Sequence, residues 1–255
     1  MLLAIDIGNT ETTFGVFEGE KKKATFQMTT AIHRTADEGA VLLLSILKNR
    51  GLEASDITEV ALCSVVPPLT LIFDDMIKRY FNISPLIVAA GVKTGIRVCM
   101  DNPKEVGADR IVVAVAAHHL YGGPVIIVDL GTATTFEIVS KNGDYLGGAI
   151  APGMLSSAEA LFQRAAMLPR IDMAPPNKVI GTNTIDAMRS GVVYGYVGLV
   201  EGMVQRMQKE LGGRVKVVAT GGFSGLIAKE TRIIDEVNPD LTLIGLRIIY
   251  RMNRE

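Results

Sequence analysis

Tryptophan is absent from the 255 residues, and aromatic side chains make up only 5% of them. A platform on which nucleic-acid bases stack needs more rings than that. Charge of one sign is lacking too. With 26 Lys and Arg against 27 Asp and Glu, the net charge is −1, so no general field draws the chain to a polyanion. Lys21, Lys22 and Lys23 read as a solvated hairpin. The two cysteines, Cys63 and Cys99, form no C-x-x-C pair. Both stand in apolar stretches and are expected as buried free thiols in a reducing cytoplasm. No apolar run reaches the roughly 18 residues that span a bilayer, so no membrane association is expected. The start, MLLAIDIGN, has no basic n-region and reads as a strand rather than a signal peptide. Neither G-x-x-x-x-G-K-[ST] nor G-x-G-x-x-G occurs, which leaves P-loop and Rossmann nucleotide modes without support. There is no H-E-x-x-H, and His118 and His119, adjacent on a helix, point in different directions.

What the chain does have is one turn pattern twice. Residues 2–14 read LLAIDIGNTETTF and residues 124–136 read PVIIVDLGTATTF. Each is a buried apolar run, then Asp, an apolar residue, Gly, a small polar turn and Thr-Thr-Phe. Asp6 matches Asp129, and Gly8 matches Gly131. A repeat at this separation is too long for a solenoid unit. It implies two similar domains, each long enough for a core of its own, in a chain that is 48% apolar with a mean hydropathy of +0.31.

The element order supports that division. Residues 2–6, 12–17 and 22–29 read as three strands. Thr35-x-x-Glu38 is a capping box ahead of VLLLSILKNR, with Gly51 closing the helix. A strand over 60–66, a helix over 70–80 and a strand over 85–89 follow, the order of a ribonuclease-H-like domain. A helix begins after Gly107. The second half repeats the scheme with strands at 125–129, 134–140 and 144–150, a helix opening at Pro152-Gly153, and a surface loop over 169–181. A long helix then runs from Thr184 to Leu211, followed by a strand over 216–220 and a terminal helix from Leu241. Gly191, Gly195, Gly198 and Gly202 each cost that long helix roughly 1 kcal/mol against Ala, so they predict another backbone packed closely there. The expected domains are 1–115 and 116–255.

An Asp-x-Gly-Asn-Thr turn after a buried strand presents backbone N–H groups and hydroxyls around a glycine that permits close approach, a nest suited to phosphate oxygens. One copy alone would read as an ordinary hairpin; two copies point to a polyphosphate held from both sides. Asp6 would hold Mg²⁺ through water. Thr220-Gly221-Gly222 is a third glycine-rich turn, placed to take an adenosine. Asp109 stands at a helix start, where Asp is often only a dipole partner. Beside Arg110, which binds carboxylates bidentately, it reads instead as a general base next to a substrate site.

DIGNT (6–10), DNPKEVGADR (101–110), DLGTATTF (129–136), GGAIAPG (147–153), GTNT (181–184) and TGG (220–222) together resemble the type III pantothenate kinase family, in order and over essentially the whole chain. DNP…GADR is the most specific of these motifs. The resemblance implies an α/β protein with two ribonuclease-H-like domains of the actin-like ATPase fold, facing each other across a cleft. It implies ATP-dependent phosphorylation of pantothenate, the first step toward coenzyme A. Asp6, Ile7, Gly8, Asn9, Thr10, Glu11, Thr12, Thr13 and Thr132 would bind ATP, with Gly221 and Gly222 at its adenosine end. Gly107, Ala108, Asp109 and Arg110 would bind pantothenate, with Asp109 accepting the proton. Asp129 would bind K⁺ or NH₄⁺, and Thr184 would reach pantothenate from the partner subunit of a homodimer. Met100 stands where the family commonly has Tyr. Two other readings are an accessory ATP-binding module of the same fold, disfavoured by the presence of Asp6, Asp109 and Asp129, and an actin-like filament protein, for which the chain is short.

Overall fold

The computed structural model describes residues 1–254. In chain order the elements are β1 (Leu2–Ile7), β2 (Glu11–Glu18), β3 (Lys21–Thr29), α1 (Ala36–Asn49), β4 (Glu59–Ser64), α2 (Pro67–Phe81), β5 (Leu86–Ile87), β6 (Arg97–Val98), α3 (Ala108–Tyr121), β7 (Val125–Leu130), β8 (Ala133–Val139), β9 (Asp144–Pro152), α4 (Met154–Arg164), α5 (Thr184–Glu210), β10 (Lys216–Thr220), α6 (Ser224–Glu230), β11 (Glu236–Val237) and α7 (Leu241–Met252). The chain divides into two units. Unit 1 holds 1–96, 101–116 and 241–255; unit 2 holds 97–100 and 117–240. The division therefore passes through α3, after Ala116.

Unit 1 carries a five-stranded sheet in the order β3-β2-β1-β4-β5. β1, β2 and β3 are antiparallel neighbours, while β4 and β5 run parallel to β1. Side chains alternate across a strand. Leu3, Ile5 and Ile7 of β1, with Phe14 and Val16 of β2, therefore share one face and pack with Leu43 and Leu47 of α1 and Leu69, Phe73 and Ile77 of α2. The capping box of α1 forms as expected: the Glu38 amide donates to the Thr35 hydroxyl, and the Thr35 amide donates to the Glu38 carboxylate. α2 starts three residues earlier than expected because Pro67 and Pro68 take its first positions, where a missing N–H costs nothing.

The other sheet face meets α7. A Cβ on Gly15 would come within 2.9 Å of Leu243, and one on Gly245 would come within 2.1 Å of the Val112 carbonyl of α3. Leu241, Leu246 and Ile249 of α7 are fully buried. The final helix thus belongs to unit 1, not to the expected domain 116–255. Sequence order alone assigned it to the second half; its apolar face is used by the first.

Unit 2 repeats the plan. Its sheet runs β6-β9-β8-β7-β10-β11, with β9, β8 and β7 antiparallel and β10 and β11 parallel to β7. The added strand β6 pairs parallel to β9 at the edge. Ile126, Val128, Leu130 and Phe136 pack with Val193, Val200 and Val204 of α5 and Ile227 of α6. On the other face, the buried Glu137 accepts a hydrogen bond from the Tyr145 hydroxyl. Each sheet has the strand order of a ribonuclease-H-like domain. No helix among the described residues is long and apolar enough to cross a membrane.

One expectation fails here. Cys99 is exposed, because it follows the two-residue edge strand β6 and lies outside both cores; Cys63 is buried as expected. The glycines of α5 have no backbone against them within the chain. Positions 191, 195 and 198 each open onto empty space.

Candidate active site

In unit 1 the three central strands end in a row. Asp6 pairs with Thr13 on β2 and with Cys63 on β4, so the three side chains share the sheet face opposite the α1–α2 core. The Cys63 thiol donates to Asp6 Oδ1 at 3.2 Å. Asp6 is pushed up to a pKa of about 6. Burial is the main cause, and the nearby Asp109 charge adds to it; the bond from Cys63 works in the other direction. The same desolvation, with the Asp6 charge beside it, raises the Cys63 thiol well above its usual range and keeps it protonated as a donor.

The turn beyond Asp6 is tight. Gly8 N–H donates to the Glu11 carbonyl at 3.0 Å, and a Cβ on Gly8 would lie 2.9 Å from that oxygen. Asn9, Thr10 and Glu11 form the exposed tip. Two of the residues expected to bind nucleotide lie differently. The Ile7 side chain is in the core, leaving only its backbone at the turn, and Thr12 is 1% exposed with its hydroxyl 3.0 Å from that of Thr30. Thr13 is part-buried, its hydroxyl accepting from Gln27 at 3.4 Å.

Asp109 stands in the first turn of α3, where the Arg110 amide donates to its Oδ1 at 2.8 Å. Gly107 makes room for that oxygen, since a Cβ at this position would lie only 2.4 Å from it. The missing side chain leaves the space into which the carboxylate folds. Gly107, Ala108, Asp109 and Arg110 are all partly exposed. Ahead of them, the Asn102 side chain caps a short helical turn over Pro103–Glu105 and also donates to Glu105 at 2.7 Å. Unit 1 thus brings together Asp6, Cys63 and Asp109.

Unit 2 has a matching row. Asp129 pairs with Thr135 on β8 and Thr220 on β10. Thr220 therefore holds the place that Cys63 holds in unit 1. The Thr220-Gly221 turn lies against the carboxylate: Gly221 has φ +88, and a Cβ on it would lie 2.5 Å from Asp129 Oδ1. Gly222 is exposed and opens onto free space. Thr132 is exposed at the tip of the second turn. That tip rests on the start of α4, since a Cβ on Gly153 would come within 2.2 Å of the Thr132 carbonyl, which also accepts from Ser156 at 3.1 Å. Thr184 stands apart, exposed at the first turn of α5. It lines a groove of about 640 Å³ with Ser157 and Leu161 of α4 and Gly191 and Tyr196 of α5.

Sequence reading did not single out Cys63 as a partner of Asp6, nor Thr30 at all. The signal for Cys63 was its place in the strand that pairs with β1; for Thr30 only the β2–β3 hairpin register could have shown it.

Residues 2–206 match the type III pantothenate kinase family. A protein of that name from Dehalococcoides mccartyi is 54% identical over 253 residues, covering 99% of this chain and 98% of its own. One from Geobacillus sp. is 50% identical over 253 residues, with 99% and 98% covered. Among solved structures, a Campylobacter jejuni protein described as a Baf family transcriptional activator superposes with a TM-score of 0.63 at 19% identity, covering 99% of this chain and 98% of that one. An inorganic polyphosphate/ATP-glucomannokinase from Arthrobacter sp. strain KM gives 0.52 at 12% identity, with 98% of both chains covered. At these identities the structures establish the actin-like ATPase fold alone.

The raised Asp6 carboxyl makes a stability prediction. Its folded-state pKa lies above the ordinary 3.8, so between about pH 4 and 6 the folded chain binds this proton more tightly than the unfolded chain. Stability is then greatest below that window and declines as pH rises through it. Asp6→Asn cannot charge. Without nucleotide or metal it should be more stable than the wild type at about pH 7.5, by roughly 1–3 kcal/mol, and the two should converge near pH 4. Thermal melts across this range check it. A variant that melts no higher than wild type at the upper end would show that water, reaching the part-exposed Asp6, already offsets the burial.

Proposed function

The chain belongs to the type III pantothenate kinase family, and on that footing we propose how its residues carry the reaction. ATP is the donor and pantothenate the acceptor. The primary hydroxyl oxygen of pantothenate attacks the terminal phosphorus, the bond to the bridging oxygen breaks, and ADP leaves. The hydroxyl proton passes to Asp109. The observation that carries this assignment is the Asp109 carboxylate folded over Gly107 at the start of α3, close enough to Asp6 to raise its pKa. Arg110 beside it is the cation for the pantothenate carboxylate. Phosphoryl transfer is mostly positioning and charge neutralisation. The turn at Gly8–Glu11, with Thr132 of the second turn, takes the phosphates, and Gly222, exposed with open space around it, leaves room for the adenosine.

The donor set fits Mg²⁺ held mostly by water and phosphate. No group of three or more His, Cys, Asp or Glu is arranged as a cage among the described residues, and a single carboxylate at Asp6 suits an ion that keeps several waters. When bound, the ion neutralises charge on the phosphates. A monovalent cation fits at Asp129, whose carboxylate lies against the backbone of the Gly221 turn; without a cation there, that carboxylate would repel ATP. A cytoplasmic enzyme is consistent with two unpaired thiols.

We further assign a homodimer. The exposed glycine face of α5 adjoins exposed apolar side chains on α4 and the loop after it, among them Leu161, Phe162, Met167, Val179 and Ile180. A second copy seated there would cover this surface and place Thr184, which lines the same groove as Gly191, at a neighbour's pantothenate.

Purified protein with Mg·ATP should convert pantothenate to 4′-phosphopantothenate, seen by mass spectrometry. Asp109→Asn should fold normally and lower kcat about 100-fold or more. Near-normal kcat with a lower Tm would reduce Asp109 to a helix-start residue. For the cation, KM for ATP measured in matched KCl and NaCl should favour K⁺, and Asp129→Ala should erase the preference along with most activity. Identical kinetics in both salts would remove the cation site. For the dimer, light scattering should give about twice 27.4 kDa. Gly195→Leu, placed where the single chain has open space, should yield a folded monomer with little activity. A fully active monomer would refute the shared site.

A further inference from the structure

One side chain outside the turn holds the first phosphate turn in shape. Thr30 follows β3, part-buried, and reaches three of the turn's residues. Its N–H donates to the Thr10 carbonyl at 2.9 Å, its hydroxyl donates to the Gly8 carbonyl at 2.8 Å, and it lies 3.0 Å from the hydroxyl of Thr12. A threonine hydroxyl has one hydrogen. Since that of Thr30 goes to a carbonyl, which can only accept, the Thr12 hydroxyl must donate to Thr30. The bonds thus run in one direction, from Thr12 to Thr30 to Gly8. Apart from this, Gly8 N–H to Glu11 O is the bond that closes the turn on itself.

The Gly8–Asn9 peptide is planar and its N–H points opposite to its C=O. Tying the Gly8 carbonyl to Thr30 therefore aims the Asn9 N–H to the other side of the turn. We propose that Thr30 is a positioning residue for nucleotide binding, which sets the Asn9 amide as a phosphate donor before ATP arrives and uses Thr12 as its own brace. A preset amide loses no freedom when the phosphate binds, so affinity is gained without any contact between Thr30 and ATP. The inference rests on the reading that the first turn takes ATP phosphates. It changes the part of Thr12, which acts on the turn from behind rather than on the nucleotide.

The test compares Thr30→Val, which keeps shape but loses the hydroxyl, with Thr30→Ser, which keeps it. Calorimetry of Mg·ATP binding, without pantothenate, should show Thr30→Val weakened about tenfold or more and Thr30→Ser within about threefold of wild type. In steady state the KM for ATP should rise in Thr30→Val while the KM for pantothenate stays within about twofold. Thr30→Ala, which also lacks the hydroxyl and adds no methyl against Gly8, should behave as Thr30→Val does and replaces it if the valine does not fold. Wild-type ATP affinity in a variant lacking the hydroxyl, an equal loss in Thr30→Ser, or an equal rise in both KM values would each overturn the proposal. Because calorimetry needs no pantothenate, the two readings fail separately. A wild type that binds Mg·ATP without phosphorylating pantothenate overturns the reaction, and the Thr30 comparison still decides this proposal. A wild type that binds no Mg·ATP overturns the proposal at its root.

Discussion

A carboxylate at the end of a buried strand loses much of its hydration, and both halves of this chain set an aspartate at that place. Desolvation of an ionised carboxyl is among the larger unfavourable terms a fold can contain unless the charge is met by hydrogen bonds or a cation. In unit 1 the Asp6 carboxylate is met by a thiol, a weak donor. Its pKa accordingly stays raised. In unit 2 the matching Asp129 has a glycine turn pressed against it. The Asp6 position is therefore not one a fold would choose for stability. The strand rows repeat, Thr–Asp–Cys in unit 1 and Thr–Asp–Thr in unit 2, so each sheet sets an aspartate between two pairing neighbours at the same place.

The glycines follow from the same constraint. Gly107 clears space for the Asp109 carboxylate, Gly221 lets the backbone approach Asp129, and Gly153 lets α4 begin against the second turn. At the first two a Cβ would collide with a carboxylate oxygen, and at Gly153 with the backbone of Gly131 and Thr132. The glycines of α5 are of another kind. Gly191, Gly195 and Gly198 accommodate nothing within their own chain, so their helix-weakening cost brings no packing gain inside it.

How much of this could be read from sequence depended on distance along the chain. The doubled Asp-x-Gly turn, the capping box at Thr35 and Glu38, and most strands were legible because each is a local pattern with a local physical cause. Asp109 was legible because its neighbours Gly107 and Arg110 are adjacent. What was missed depends on register or on edges. Cys63 meets Asp6 across 57 positions through the β1–β4 pairing, and Thr30 meets Gly8 across 22. Cys99 has apolar neighbours in sequence but lies beside a two-residue edge strand, where no core forms around it. The short α6 and β11 went unread because neither is long enough to show a period.

The place of α7 bears on how the protein is made. Translation runs from the N-terminus, so β1 and β2 leave the ribosome more than 200 residues ahead of α7, the helix that covers one face of their sheet. Unit 2 lies between these two segments in the chain and can complete its core while the tail is still being synthesised. The half that starts first therefore finishes last. Until α7 emerges, the backs of β1 and β2 wait uncovered, including Gly15 at the spot where Leu243 will pack. Synthesis at about 5–20 residues per second sets the length of that wait, and a stalled ribosome would leave a nascent chain with its second half folded and its first half still open to other partners.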